Sequence, residues 1–398
     1  MRFLFSAHPA VGHLQPVVPI ARQLQRRGHE VRVATAKSFR PAVRSLGLEP
    51  MAAGVDWSRA NPEAVFPAVA EIPPAERYSW ILRHVYADAA ARRTSSDLVA
   101  ALSSWRPDVV IHQQMELGSL LAAELLEIPH ASYGFGQGLM ASDRRLGAPA
   151  IAPLRAELGL DPDPDLVSGF RFLRFEFAPP TYLAPDAVRL PTTHHIRPEV
   201  GEYRPDSQPP AHLPELKRPV VVVTLGMNYN RTPGIFEAAI DALADEPVSV
   251  VVTVGTNRDP AELEPLPRNV HAVRYAPLSR LLPQADVTVC HGGFNTIVAA
   301  VEAGTPLVLL PIDSDQPAQA ARCVELGLGR SIDAAELSPE RLRREVRTVR
   351  SDPRYRKATA EFRADLEALP SSADAADLLE TLAANGRPLP MREPAMIG

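Results

Sequence analysis

An α/β fold in two domains, each built on a parallel sheet, is what this 398-residue sequence predicts. Three observations carry it. Short apolar, β-branched runs alternate with helical periodicity in both halves, the pattern of strands covered on both faces by crossover helices. The length exceeds one ordinary core and fits two of about 200 residues each. Residues 195–219 are polar and hold Pro198, Pro205, Pro209, Pro210, Pro214 and Pro219, which suits a linker. The expected boundaries are 1–200 for the first domain, 201–218 for the linker and 219–398 for a second domain that includes the C-terminal helices.

The elements follow in order. Residues 2–6 form a strand, 14–27 a helix closed by Gly28, and 30–35 a second strand. Residues 57–86 read as irregular and aromatic. A buried strand at 108–112, a helix at 117–126 and a strand at 129–133 come next, and an aromatic stretch at 170–182 ends the half. After the linker, 220–224 restarts the alternation, with a helix at 235–243 and strands at 248–254 and 270–273. The richest segment is 285–316, ADVTVCHGGFNTIVAAVEAGTPLVLLPIDSDQ. It reads as a strand, a Gly292-Gly293 turn, a helix closed by Gly304, a strand at 306–311 and a polar tip. Helices at 341–349, 355–366 and 373–382 close the chain.

Composition excludes several classes. A formal net charge of −5 leaves no basic footprint for nucleic acid or an anionic membrane. No apolar run reaches the length of a membrane span, and the N-terminal run, broken by His8 and Pro9, reads as a strand and not a signal peptide, so a soluble cytoplasmic protein is expected. Two cysteines, Cys290 and Cys323, imply no disulfide framework. No G-x-G-x-x-G follows the first strand, which argues against a nicotinamide dehydrogenase.

Glycine tolerates positive φ and has no Cβ to block a ligand, and a helix start after such a turn suits an anion such as a diphosphate. At this point the segment resembles the donor signature of the family 1 glycosyltransferases, and the whole chain resembles the bacterial antibiotic type. The resemblance implies the GT-B fold, two facing Rossmann-like domains with a cleft between them. The first would bind the acceptor and the second the nucleotide sugar. It places diphosphate and sugar contacts on His291, Gly292, Gly293, Asn295, Thr296, Asp315 and Gln316. Tyr275, with Ala276 and Leu278, would meet the base, where the family usually has an aromatic, often a tryptophan. Gly226 and Asn228 would approach the phosphates after residues 220–224. Ala299 stands where plant members carry a ribose-binding glutamate, which tilts the donor toward a dTDP-sugar over a UDP-sugar. Glu302 competes for that role.

Residues 7–16, AHPAVGHLQP, resemble the family's first loop, with His13 as the general base that deprotonates an acceptor hydroxyl; His8 could share the role. In-line attack would invert the anomeric centre, and the helix start at His291 would take the leaving charge without a metal. The usual aspartate partner of the base is replaced by Gln113. Glu116 is the nearest carboxylate: a catalytic partner, an acceptor contact or a solvated helix-start residue. Asp108 lies at the wrong end of its strand. Trp57, Phe66, Trp80, Gln113 and Phe135 are candidates to line the acceptor site, with Tyr78, Tyr86, Phe170, Phe172 and Phe175 in the same pool.

The expectation is thus an inverting, metal-independent hexosyltransferase moving a deoxysugar from a dTDP-sugar to a hydrophobic polyketide- or macrolide-like aglycone. It needs no cofactor beyond the nucleotide sugar as co-substrate, and a homodimer is left open. The alternatives are a UDP-sugar enzyme acting on a lipid or carotenoid acceptor, and a catalytically idle nucleotide-sugar binder serving as a partner subunit.

Overall fold

The structure is a computed structural model that describes residues 1–57, 61–138, 140–199, 215–227, 229–255 and 258–391. The chain divides into two compact units, Met1–Gly201 with Leu369–Gly398, and Glu202–Ala368.

The first unit is a seven-stranded sheet. Its strands are β1 (Arg2–Ser6), β2 (Glu30–Thr35), β3 (Glu49–Ala52), β4 (Val109–Gln113), β5 (His130–Gly134), β6 (Leu173–Glu176) and β7 (Thr193–His195). They lie in the order β3-β2-β1-β4-β5-β6-β7, and every neighbouring pair is parallel. The second unit has β8 (Val220–Thr224), β9 (Ser249–Thr253), β10 (Val270–Val273), β11 (Val287–Cys290), β12 (Leu307–Leu309) and β13 (Gly329–Ser331). Their order is β10-β9-β8-β11-β12-β13, again all parallel. The central strands β4 and β8 are buried along their whole length, as a sheet covered on both faces requires. Strand order reverses between β1 and β4 in one sheet and between β8 and β11 in the other. Ligands of open α/β sheets collect at such reversals, beyond the carboxyl ends of the strands.

Three expectations need correction. The helix predicted at 14–27 is broken into Val11–Leu14, a 3₁₀ turn at Gln15–Val17 and Val18–Arg26. Pro16 and Pro19 lack the amide a continuous helix needs. Residues 57–86 are not mainly irregular. Helix Pro74–Ile81 runs into a π-helix, Leu82–Ala89, and on into helix Ala90–Leu102. Its buried side chains Ile81, Leu82, Val85, Tyr86 and Ala90 pack with Trp57, Val69 and Met115. The wide π turn blurs the 3.6-residue period, so the sequence conceals this helix.

The third correction concerns the domain boundary. Helix Ser372–Asn385 packs on Val18–Arg26 and belongs to the first unit, not to the second. Arg27 reaches Asp377 at 2.6 Å and Glu380 at 2.9 Å, and His29 Nε2 lies 2.6 Å from Glu380. Beyond it, the Leu389 amide donates to the Phe172 carbonyl and the Met391 amide to that of Pro191. The acidic face of this helix complements Arg27 and His29, and Leu379 and Leu382 bury beneath it. Most of the expected linker lies outside the described residues. No helix among the described residues is long and apolar enough to cross a membrane.

Candidate active site

In the second unit the expected donor residues gather where β8, β10, β11 and β12 end. Gly226 follows β8 with φ +67, and a Cβ there would stand 2.9 Å from Cε1 of His291. A Cβ on Gly293 would stand 2.5 Å from His291 Nε2, and Gly292 has φ +84. Three glycines therefore shape the backbone around one imidazole. His291 is buried, and its Nδ1 has no hydrogen-bond partner among the described residues. Burial pulls its pKa down to about 4, opposed only in part by contact with the Thr224 backbone. The ring is neutral at ordinary pH, a hydrogen-bonding group and not a cation.

The helix after this turn, Phe294–Glu302, has Gly293 at its N-cap and so no side chain to cap it. Its first turn carries half-buried Asn295 and buried Thr296, with Ala299 buried one turn on. After β10 come half-buried Tyr275, buried Ala276 and Leu278, which opens the short helix Leu278–Leu281. After β12, Asp315 occupies the N-cap position of helix Gln316–Glu325, and Gln319 donates to its Oδ2 at 3.2 Å. Gln316 is buried, and its Oε1 accepts the amides of Ile312 at 2.8 Å and Asp313 at 3.2 Å. Its carbonyl thus holds the turn that presents Asp315. Asn228 lies outside the described residues.

Sequence reasoning missed the groups that brace these loops. Asn230 is fully buried and donates to the Val254 carbonyl, tying the loop after β8 to the end of β9. Arg258 Nη1 donates to the Asn230 carbonyl at 2.9 Å. Tyr229 and Ser314 join their hydroxyls at 3.0 Å, and Ser314 has φ +64, the left-handed region. Their only sequence signal was a polar cluster after an apolar strand, which any surface loop would share.

In the first unit the loop after β1 carries both histidines. His13 is half-buried in helix Val11–Leu14, and its carbonyl accepts the Tyr133 hydroxyl at 3.0 Å. Its ring lies 5.6 Å from that of Phe135 and 6.1 Å from that of His8. His8 is buried, stacks on Tyr86 at 4.6 Å and brings Nε2 to 3.0 Å from the Met115 carbonyl. A carbonyl only accepts, so this partner assigns the proton to Nε2.

Glu116 sits at the N-cap of helix Leu117–Leu125, and its carboxylate is engaged there. It accepts the Ser6 hydroxyl at 2.6 Å, the Gly118 amide at 3.2 Å, the Ser119 amide at 3.3 Å and the Ser119 hydroxyl. It is a buried capping residue, not a solvated one. Gln113 is buried, with its Oε1 accepting the Met115 amide at 2.7 Å. Trp57 packs 6.0 Å from Phe66 and 5.6 Å from Tyr86, while half-buried Trp80, on helix Pro74–Ile81, lies against His84 of the π-helix.

Phe170 and Phe175 are core residues. On either side of Phe175, Arg174 and Glu176 form a fully buried ion pair at 2.6 Å. Glu176 also accepts the Gly136 amide at 2.8 Å, and Arg174 donates to Gln114. This network braces the turn that follows Phe135. Its signal was two opposite charges alternating with phenylalanine in one strand. Among the described residues no group of three or more His, Cys, Asp or Glu could hold a metal ion.

Two parallel-sheet units, with a histidine loop at one strand-order reversal and a glycine-shaped helix start at the other, define a GT-B glycosyltransferase. The solved glycosyltransferase VinC, in complex with dTDP, matches 97% of this chain and 100% of its own at a TM-score of 0.78 and 26% identity. A 4'-demethylrebeccamycin synthase of Lentzea aerocolonigenes is 32% identical over 96% of this chain and 99% of its own. A 3-alpha-mycarosylerythronolide B desosaminyl transferase of Saccharopolyspora erythraea is 28% identical over 97% and 99%. The chain belongs to the erythromycin biosynthesis protein CIII-like family, whose N-terminal model matches residues 22–162 and C-terminal model residues 237–382. It is a family 1 glycosyltransferase of natural-product biosynthesis.

Proposed function

We propose that the protein moves a deoxysugar from a dTDP-sugar to a hydroxyl of a hydrophobic polyketide- or macrolide-like aglycone, with inversion and without a metal. The observation that carries this reading is the helix start at Gly293, which brings no side chain of its own to a site where an anion is stabilised. The diphosphate takes that place beside His291, and departs there when the glycosidic bond breaks. Because His291 is neutral, it contributes a hydrogen bond to the phosphate oxygens and not a charge. Ala299 leaves no carboxylate to pair with a ribose 2′-hydroxyl, which favours a deoxyribose nucleotide. The dTDP bound to VinC supports the same choice.

His13 is the base. It accepts the proton of the acceptor hydroxyl as that oxygen attacks the anomeric carbon from the face opposite the leaving diphosphate, so an α-linked donor yields a β-glycoside. Phe135 packs against its ring, and Tyr133 fixes its backbone. Glu116 acts through the backbone by fixing the Ser6 end of β1, from which the histidine loop departs. Relatives named 4'-demethylrebeccamycin synthase and 3-alpha-mycarosylerythronolide B desosaminyl transferase support a natural-product aglycone.

The test is incubation with dTDP- and UDP-sugar panels and polyketide acceptors, with and without EDTA. Nucleotide release and the anomeric coupling of the product are followed. Release of dTDP with a β-glycoside, insensitive to EDTA, supports the proposal. Tight nucleotide binding without turnover on any acceptor would favour an idle binding subunit instead.

A further inference from the structure

We infer that a small pocket in the first unit is a second acceptor subsite, one that takes a single hydroxyl of the aglycone remote from the one that is glycosylated. This deepens the proposed acceptor role of that unit and rests on it. The pocket lies where β1, β2 and β3 end, and Ser6, His8, Thr35, Trp57, Thr94 and Glu116 are among its walls. It has room for one water- or hydroxyl-sized group.

Most of its polar groups are already satisfied. Ser6 donates to Glu116, Glu116 caps its helix, and His8 donates to the Met115 carbonyl. Two are not. Thr35 Oγ1 and Trp57 Nε1 are buried with no hydrogen-bond partner among the described residues. Their residues are only 3% and 6% exposed, so bulk water does not serve them. A buried donor left unmade is expensive, and native proteins rarely keep one without a use for it. An indole N–H only donates, while a threonine hydroxyl both donates and accepts. One hydroxyl in the pocket would accept from Trp57 and exchange a hydrogen bond with Thr35, satisfying both.

The placement suits an acceptor. The His8 ring lies 6.1 Å from the ring of His13 and 6.1 Å from that of Trp57. The pocket is thus one ring removed from the proposed base, and a rigid polycyclic aglycone can present one oxygen to each. The π-helix that carries Tyr86 onto His8 holds this spacing fixed. Selectivity follows from the same chemistry: a site built to hydrogen-bond a hydroxyl rejects the analogue that lacks it.

The test uses the full chain and two probes, 2-hydroxyanthraquinone and 2,6-dihydroxyanthraquinone, with binding measured by isothermal titration calorimetry. Wild type should bind the dihydroxy probe about 10-fold or more tightly than the monohydroxy one. Trp57→Phe and Thr35→Val should each remove that preference while leaving dTDP binding unchanged. Thr35→Ser, which restores the hydroxyl, should recover it. Equal binding of the two probes by wild type, binding of neither, or a preference that survives both substitutions overturns the inference. A fall in melting temperature in both variants with no change in preference assigns the atoms to a structural water and overturns it too. Absence of nucleotide release with every sugar donor would instead remove the proposed activity and leave the binding result standing.

Discussion

The two strand-order reversals are built alike and finished differently. In each sheet the strand that crosses the reversal, β4 or β11, leads through a tight turn into a helix of nine residues. In the first unit the turn ends on Glu116, whose buried carboxylate binds the amides of Gly118 and Ser119 and the hydroxyls of Ser6 and Ser119. That helix start has its own anion. In the second unit the turn ends on Gly293, and the helix starts with no side-chain cap. A helix N-terminus attracts negative charge whichever molecule brings it. The first helix start is thus met by the chain's own carboxylate, whereas the second carries no side-chain anion, which is why the diphosphate is proposed to bind there. In the proposed function, one residue at equivalent turns separates the unit assigned the proton chemistry from the unit assigned the diphosphate.

The largest expected effect tests the chemical side of this contrast. His13→Ala should lower kcat by about 10²–10⁴ while leaving dTDP affinity unchanged by calorimetry. Wild-type turnover in this variant would remove His13 as the base. Next, Gly293→Asp gives the second helix start a carboxylate like that of the first. It should weaken dTDP binding by about 30-fold, the ~2 kcal/mol that a charge carries at a partly buried helix terminus. Gly293→Ala, with the same crowding against His291 but no charge, separates the two causes. If the Asp variant binds dTDP as wild type does, the comparison breaks.

On the other side, Glu116→Ala should destabilise the first unit by about 1–2 kcal/mol in urea unfolding, the usual loss for a helix cap. Glu116→Gln keeps an acceptor at the cap and should retain at least about a tenth of the transfer rate, since a general base loses far more when removed. A loss as deep as that of His13→Ala would make the carboxylate the charge partner of the base. The smallest effect concerns pH. His291 is neutral in the fold down to about pH 4, while an unfolded histidine protonates near 6.5. The unfolded chain binds the extra proton between those values, so this site's contribution is constant above about 6.5 and is lost as pH falls toward 4. His291→Asn should flatten that acid limb, and dTDP affinity should show no rise from pH 8 to 6 of the kind a protonating histidine would give.

Much of this was legible without coordinates. Residues 220–224 and 270–273 are strands at their expected bounds, and the first, a continuous valine run, is buried along its whole length as a central parallel strand requires. The turn at His291–Gly293 was readable because glycine has few other reasons to follow a buried strand. Glu116 was less so. Its sequence position suits a partner for His13 as well as a cap, and its bond to the Ser6 hydroxyl, 110 residues away in the chain, could not be read from either. Trp57 and Trp80 looked like neighbours in one loop, yet one is buried beside His8 and the other rides half-buried on a helix.

By itself, then, the sequence determined what local physics controls: the alternation of strands and helices, the glycine turn, and the absence of a side chain at Gly293. The tertiary structure alone decided which polar atoms are satisfied. It assigned helix Ser372–Asn385 to the first unit through Arg27 and His29, gave the carboxylate of Glu116 to its own helix, and left Thr35 and Trp57 facing a pocket without partners. Backbone preference is a property of each residue and its neighbours. Satisfaction of a buried polar group depends on which distant segment arrives beside it, and no spacing along the chain records that.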